Sequence, residues 1–585
     1  MSEIIEDQPT AESPESLAEP DDADDIADEA GPAPSTKQTS VARSAGIVSI
    51  AVLFSRILGL IREQIVAVFF GAGFLYDAYV VAFRIPNVLR DLFAEGALSA
   101  AFVKVFTDYQ INKSEKEAWH LAGLVINALA VIMSVICIVG VIFSRQFVDL
   151  VADGFSPEKA ALATTLTQIM FPFILLVALA AVAMGVLNTK GVFGIPASAS
   201  TVFNIVSIIF GLGLAYWLSG GGWFSSTDKD AVPGAAAQWA IIGMAIGTLI
   251  GGASQFLMQI PSLYKVGFRF LPTLSFADEG LKRVMALMTP AILGTSAVQI
   301  NVLINTYFVS GIDGAQGWLS YSFRLMQFPI GLFGVAIGTA AIPVLSRLAS
   351  EGRTKDFRDT LSQSMNLVFL MTIPAACGLI VLGEPIVRLI YEHGKFDATA
   401  TTMTAFALAG YSVGLAGYAA IKVLSPAFYA MNDAKTPMII GVASIGVNAL
   451  GSYFFREWLS QYGVTAATPH GYGHVGVALA TSCVALINFV ALVWFMRRKI
   501  KRLNGREVAA SFLRISAASL FMSAACYASY YLLHVRLGSA TLAHHLIEAF
   551  VPIALGGITF VIVAKLLRVK ELEQAFGMIR RKLAR

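Results

Sequence analysis

Charge is scarce in this 585-residue chain: Asp, Glu, Lys and Arg make up 14%, against about 25% in a soluble domain. With 56% hydrophobic residues and a mean hydropathy of +0.68, apolar runs of about 20 residues recur from position 43 almost to the end, each long enough to cross a bilayer. A soluble enzyme, a nucleic-acid-binding domain and a fibrous protein are excluded. Cysteine is scarce too. Cys137, Cys377, Cys483 and Cys526 each sit inside an apolar run, far apart, so no metal or redox spacing exists among them. The histidines His120, His393, His470, His474, His534, His544 and His545 fall in loops or near span ends. Intramembrane histidine chemistry is therefore not expected, and the His544-His545 pair alone is a weak metal candidate. No phosphate-binding P-loop is present, so any transport is expected to be driven by an ion gradient, the membrane potential or downstream consumption of the product rather than by ATP. What remains is an all-α polytopic membrane protein with no cofactor.

The net charge of +3 hides two opposite parts. Residues 1–42 carry 12 acids and one Lys, and the rest of the chain carries a net +14. The acidic stretch cannot bury enough apolar surface to fold and has neither the basic nor the apolar region of a signal peptide. It reads as a disordered cytoplasmic leader, a solvated tail rather than a docking site. Fourteen spans follow, near 44–70, 75–105, 120–143, 160–187, 194–218, 237–260, 285–309, 318–347, 359–383, 399–430, 437–455, 474–496, 509–533 and 546–568. Lys and Arg concentrate in alternate loops, most heavily at Arg497, Arg498, Lys499, Lys501, Arg502 and Arg506 and at the C-terminus. By the positive-inside rule both termini are cytoplasmic.

The chain repeats itself. Residues 82–105 align with 322–345 at an offset of 240, pairing Phe83 with Phe323, Arg84 with Arg324, and Ala100 with Ala340. Asn188 and Asn204 align with Asn432 and Asn448 at an offset of 244. An offset of six helices keeps both copies in one orientation, the parallel repeat of a two-lobed alternating-access transporter. The last two spans fall outside it.

Cations inside spans are the most informative residues: Arg56, Arg62, Arg84, Arg90, Arg324 and Lys422. Each costs about 2.5–3.5 kcal/mol at a helix centre, so each is expected to face a bundle interior or aqueous cavity. Two readings stand. The cations pair with Glu63, Asp77, Asp91 and Glu95, or they line a cavity that attracts an anion. Helical spacing aligns Arg84, Asn87, Asp91 and Glu95 on one face and Arg56 with Glu63 on another, while Pro86 bends the second span. Arg324 and Lys422 have no intramembrane acid in their own half, and the repeat pair Arg84 and Arg324 is expected to face across the interface. Arginine's fork binds phosphate oxygens in pairs and keeps its proton when desolvated. Phosphate or pyrophosphate on a lipid is the ligand chemistry this suggests. Glycines and prolines that interrupt the spans serve either hinges or close packing.

At these residues the chain resembles the MurJ (MviN) family of bacterial lipid II flippases, within the multidrug/oligosaccharidyl-lipid/polysaccharide exporter superfamily. The resemblance is carried by FSRILGLIREQIVAVFFGAG and YDAYVVAFRIPNVLRDLFAEGALSAAFV (within 54–103), by 289–306, 323–346 and 422–438, and extends in matching order over about 43–570. It implies two six-helix lobes in a V and a groove on helices 13 and 14 for the undecaprenyl tail. It assigns the family's cavity arginines to Arg62, Arg90 and Arg324, with Arg56 at a sensitive position. Asp77 matches an acid at the outer end of the first helix pair. The family's acids beside the eighth-span arginine are Phe323 and Gln327 here, which is expected to leave Arg324 freer for ligand. Span 7 offers Gln299, Asn301 and Asn305 but no Asp, which puts a sodium coupling ion in doubt.

The expected organisation is a leader (1–42), an N-lobe (43–262), a cytoplasmic linker (263–284), a C-lobe (285–500), a lipid-tail groove (501–570) and a basic tail (571–585). The expected function is inner-to-outer translocation of lipid II across the bacterial cytoplasmic membrane. Arg56, Arg62, Arg84, Arg90 and Arg324 would bind the substrate; Glu63, Asp77, Asn87, Asp91, Glu95, Gln327 and Lys422 would support them. Membrane lipids and cell-wall synthesis proteins are the other expected partners, and nucleic acid is not one. Rival readings are a flippase for another polyprenyl-linked oligosaccharide and a non-transporting scaffold for cell-wall enzymes. A multidrug exporter would show acids in its cavity. An intramembrane glycosyltransferase or phosphatase would need clustered acids or a histidine base.

Overall fold

A computed structural model describes residues 36–93, 97–225, 234–466, 468–537 and 541–573. Every regular element in it is helical. Within the membrane a helix satisfies its own backbone, which is why apolar runs of this length take no other form.

The first half runs α1 (Thr36–Phe70), α2 (Phe74–Phe93), α3 (Ala97–Asn112), α4 (Glu115–Ile142), α5 (Ser144–Val151), α6 (Pro157–Met170), α7 (Phe173–Thr189), α8 (Gly194–Leu218), α9 (Gly222–Ser225), α10 (Ala235–Leu257) and α11 (Ile260–Lys265). The second half runs α12 (Glu279–Val309), α13 (Ala315–Pro329), a π-helical turn (Ile330–Val335), α14 (Ala336–Ser350), α15 (Thr354–Val381), α16 (Gly383–Tyr391), α17 (Ala398–Ser412), α18 (Leu415–Ala430), α19 (Lys435–Leu459) and α20 (Gly473–Lys499). Two further helices follow, α21 (Gly505–Leu537) and α22 (Leu542–Leu566). α1 begins at Thr36, so helix reaches back into the stretch expected to be disordered; the remainder of the leader, like Glu95 and the end of the basic tail, lies outside the described residues.

Among the described residues ten helices or helix pairs are long and apolar enough to cross a membrane, and an eleventh if α17 and α18, bent by 44°, form one span. The other three spans expected from the sequence fall on α1, α2–α3 and α12. The first two carry most of the intramembrane charges, which lower their hydropathy.

The halves repeat in length and in packing. α4 and α15 are both 28 residues, and α8 and α19 both 25. α8 packs on α10 as α19 does on α20, α4 on α7 as α15 on α18, and α2 on α6 as α13 on α17. The short amphipathic helices α5 and α16, absent from the sequence reading, occupy equivalent positions after α4 and α15. α8 and α19 start 241 residues apart, not 244. Asn432 therefore matches Gly191 rather than Asn188: both have positive φ (56° and 77°) at a helix C-terminus, closed by Asp433 N–H to Phe428 O and Val192 N–H to Leu187 O. Asn448 stands one turn beyond the equivalent of Asn204. Their roles still correspond, because Asn204 donates to Ser55 O of α1 and Asn448 to Asn301 O of α12.

Small residues set the closest crossings. A Cβ on Gly243 would lie 2.6 Å from Ala215 Cα on α8, and one on Gly476 would overlap the Phe455 backbone on α19. Glycine at both sites lets backbones touch where lipid gives no hydrophobic drive to associate. α21 and α22 pack on each other and are attached through α15 and α16.

Candidate functional site

The charged side chains gather where α1 and α2 of the first half meet α12 and α13 of the second. They form three groups along these helices.

The first group is a sealed seam. Asp77, in the first turn of α2, is fully buried. Its Oδ2 accepts from Lys159 Nζ at 3.0 Å and from Gly314 N–H at 2.7 Å, and its Oδ1 from Gly317 N–H at 3.0 Å. A carboxylate from one half thus caps the N-terminus of α13 in the other, where unpaired N–H groups and the helix dipole favour negative charge. Lys159, at the start of α6, also reaches Asp313 at 2.7 Å. Around this ion cluster Tyr76 stacks on Tyr321 at 4.7 Å, Tyr321 Oη–H donates to Gly71 O, and Lys395 N–H donates to Val68 O. Lys159 stands one residue before the span expected at 160–187, and a lysine at the start of a span, with an acid opposite, was the available signal.

The second group lies further along. Arg84 of α2 donates to Thr306 Oγ1 on α12 and to Gln316 Oε1 on α13, and Gln316 Nε2–H donates to Thr306 O. Both partners are neutral, so Arg84 keeps its charge uncompensated while bracing the two halves. Arg324 forms an ion pair with Glu63 of α1. The loss of acids beside it on α13 therefore does not leave it without a partner, as the sequence had suggested; an acid from the opposite half replaces them. Arg84 and Arg324 each cross to the other half, as expected of repeat equivalents, but to different helices. Arg324 is 47% exposed and Glu63 11%, and Glu63 Oε2 is buried without a hydrogen-bond partner. The Arg56 guanidinium lies against Gly331 on the π-helical turn, a backbone form frequent at functional sites. Arg62 sits 5.1 Å from the centroid of the Phe203 ring. Lys422 and Gln327 are exposed, and Asn87 Oδ1 is buried without a partner.

The third group bridges the halves again. Arg90 holds Asp91 Oδ1 at 2.7 Å, Asp91 Oδ2 accepts from Gln299 Nε2 at 3.1 Å, and Arg283 pairs with Asp108 at 2.6 Å. Within the second half, Asn305 of α12 joins Thr481 Oγ1 and Asn448 Nδ2, both at 2.9 Å, and Asn301 donates to Ser444.

These distances change the charge balance expected from the sequence. Asp77 is taken by Lys159 and does not neutralise the arginines. Among the described residues Arg56, Arg62 and Lys422 have no acid within ion-pair distance. The two kinds of ion pair differ in strength. Breaking the buried Asp77–Lys159 pair costs about 3–5 kcal/mol. The Arg324–Glu63 pair joins a half-exposed guanidinium to a largely buried carboxylate, so it lies between that and the about 0–1 kcal/mol of a surface pair. The exposed side of the guanidinium is open to another anion. The arrangement can thus hold a seam shut while offering cations to a negatively charged ligand.

Comparison with known proteins gives one consistent answer. The family model described as "Lipid II flippase MurJ" matches residues 66–547. The chain is 36% identical over 454 residues to the "Lipid II flippase MurJ" of Burkholderia cenocepacia, covering 76% of this chain and 82% of that protein. It is 31% identical over 528 residues to the "Probable lipid II flippase MurJ" of Buchnera aphidicola subsp. Acyrthosiphon pisum, covering 89% and 96%. Among solved structures, "Lipid II flippase MurJ, inward closed conformation" matches with a TM-score of 0.69 at 28% identity over 92% of this chain and 99% of the other. An inward-facing multidrug resistance MATE family transporter matches with a TM-score of 0.54 at 14% identity over 78% and 94%, a likeness of fold alone.

Proposed function

The chain belongs to the MurJ lipid II flippase family, and from that premise we propose how its cations carry the substrate. It is a multi-pass membrane transporter, not an enzyme, and its substrate is lipid II. The finer reading is translocation of the undecaprenyl-pyrophosphate-linked precursor from the inner to the outer leaflet of the bacterial cytoplasmic membrane by alternating access. The single observation that carries it is the set Arg56, Arg62 and Lys422, without acid partners among the described residues, beside an Arg324 that pairs with Glu63 and keeps half of its side chain exposed.

In this reading the pyrophosphate docks between Arg56, Arg62 and Arg324, drawn by Arg56 and Arg62, which have no acid partner among the described residues. Its oxygens replace Glu63 on Arg324, and the freed Glu63 can take Arg324 back when the ligand leaves. Arg90 is held by Asp91 for the same ligand from α2, Arg84 braces the halves beside it, and Asn87, Gln327 and Lys422 complete the polar lining. Opening toward the outer leaflet requires release of Asp77 from the α13 N-terminus, so the ion cluster with Lys159 acts as the outer gate. Fourteen spans, two parallel six-helix lobes, cytoplasmic termini and a tail groove on α21 and α22 belong to the same proposal. Lobe limits of 43–262 and 285–500 fit the repeated helix lengths and pairings.

The test is complementation. Cells depleted of their own flippase and supplied with this protein should expose lipid II to an impermeant outer-face probe. No exposure from a well-expressed, inserted protein would redirect the proposal to another polyprenyl-linked sugar.

A further inference from the structure

The linker between α11 and α12 carries no regular structure and runs along α4. Gly267 lies by Trp119, and a Cβ on it would be 3.8 Å from that ring. Leu271 O then faces Gly123, and Asn127 Nδ2 donates to Leu271 O at 2.7 Å and to Thr273 O at 2.8 Å. By Gly280 the chain is back beside Leu121 and Tyr109. The linker therefore climbs about two turns along α4 and returns.

The level it reaches is inside the membrane. The last charged residue at the start of α4 is Glu117, and none follows within the helix. Asn127 is ten residues beyond it, or about 15 Å at 1.5 Å per residue. Asn127 also shares a helical stripe with Val131, Val135, Ile138 and Ile142, which are 43%, 54%, 58% and 65% exposed on the outside of the bundle. A lone amide on a lipid-facing stripe is costly unless it has a purpose. Here both of its protons go to backbone carbonyls that would otherwise be bare in hydrocarbon. The tip is also poor in donors. Pro272 has no N–H, and Thr273 N–H donates to Leu271 O at 2.8 Å.

The side chains agree. Phe270, Leu271, Leu274 and Phe276 are about half exposed (53%, 50%, 47% and 48%), and Lys265, Arg269, Lys282 and Arg283 bracket them. Apolar tip and basic flanks match acyl chains and phosphate head groups in turn. We propose that residues 270–276 form a re-entrant apolar loop inserted into the acyl-chain region of the leaflet at which α4 begins, with Asn127 as its anchor. The partner of this surface is the bilayer, and the loop fastens the connection between the two halves to α4. This is a different placement from a linker in the aqueous phase, and it does not depend on the substrate assigned above.

The test is depth measurement by nitroxide labelling of the full-length protein in proteoliposomes. Leu274→Cys is made after the four native cysteines are replaced by Ala, with Val131→Cys as the lipid reference and Lys355→Cys as the aqueous one. The label at 274 should collide with oxygen more than with a water-soluble nickel chelate, in the ratio seen at 131. A ratio like that at 355, or shielding from both reagents as under a protein partner, overturns the insertion. In Asn127→Leu the label at 274 should shift toward the aqueous ratio while the label at 131 stays unchanged. No shift would overturn the anchoring role.

Discussion

Replacing Lys159 with Met tests the seam between the halves. The substitution keeps the volume of a buried side chain and removes the cation 3.0 Å from Asp77 and 2.7 Å from Asp313. Asp313 is exposed and turns to solvent, but Asp77 is fully buried. Uncompensating a buried charge costs about 3–5 kcal/mol. Asp77 retains two N–H donors from α13, Gly314 and Gly317, which places the loss at the low end, about 3 kcal/mol. Asp77 and Lys159 both belong to the first half, whereas Asp313, Gly314 and Gly317 belong to the second. Opening the seam admits water to Asp77, so the cost of an uncompensated buried carboxylate falls on the sealed state. The sealed-to-open ratio should fall roughly a hundredfold, since 1.4 kcal/mol is tenfold. Distances between spin labels at Asp153 and Glu457, measured in lipid, would report it as a shift to longer separations. The double variant Asp77→Asn with Lys159→Met leaves a neutral pair able to accept from α13, and should restore most of the sealed population. An unchanged distance distribution in Lys159→Met, or a double variant as open as the single one, would refute the reasoning.

Other consequences follow from the same distances. Glu63→Gln removes the acid that competes for Arg324. Lipid II should bind more tightly and leave more slowly, so single-cycle binding rises while steady transport falls; equal loss of both would contradict the exchange. Asp433 is held at about 2, down from the usual aspartate 3.8, first by its hydrogen bond from Lys499 and then by Thr436. A lowered carboxyl stabilises the fold above its unfolded value and stops doing so as pH falls through its folded value. Asp433→Asn should therefore melt lower at neutral pH, by no more than ~1 kcal/mol for so exposed a pair, with the gap closing between pH 4 and 2; a gap independent of pH would count against it. Gly243→Leu should force α8 and α10 apart at a cost of about 1–3 kcal/mol, seen as a lower melting temperature in detergent, and an unchanged melt would show that the crossing tolerates a side chain.

Much of this fold can be read from hydropathy because lipid demands long, self-satisfied helices. The eighth helix has the bounds expected for its span, Gly194–Leu218. α5 and α16 escaped because each is too short to cross a bilayer and half polar, so composition alone resembles a loop. The arginines were visible because charge within an apolar run is rare. Their partners were not, because they come from other helices: Glu63 reaches Arg324 from α1, Thr306 and Gln316 reach Arg84 from α12 and α13. Intrahelical spacing can suggest a stripe, but it cannot tell that Asp77 turns from its own arginines to a lysine more than eighty residues away. The repeat was found, yet its register was three residues off for the asparagines. A turn that accepts either Gly191 or Asn432 has a conformational requirement that residue identity does not reveal.

The central claim is that cations drawn from both halves hold the pyrophosphate of lipid II. Its most direct measurement is binding of lipid II to the purified protein by native mass spectrometry, for the wild type and for Arg62→Ala and Arg324→Ala, with Lys116→Ala at an exposed helix start as the control. A charge-assisted hydrogen bond is worth about 1.5–3 kcal/mol. Each arginine variant should therefore bind about ten- to a hundredfold more weakly, and the control should match the wild type. Arginine variants that bind lipid II as tightly as the wild type would contradict the account.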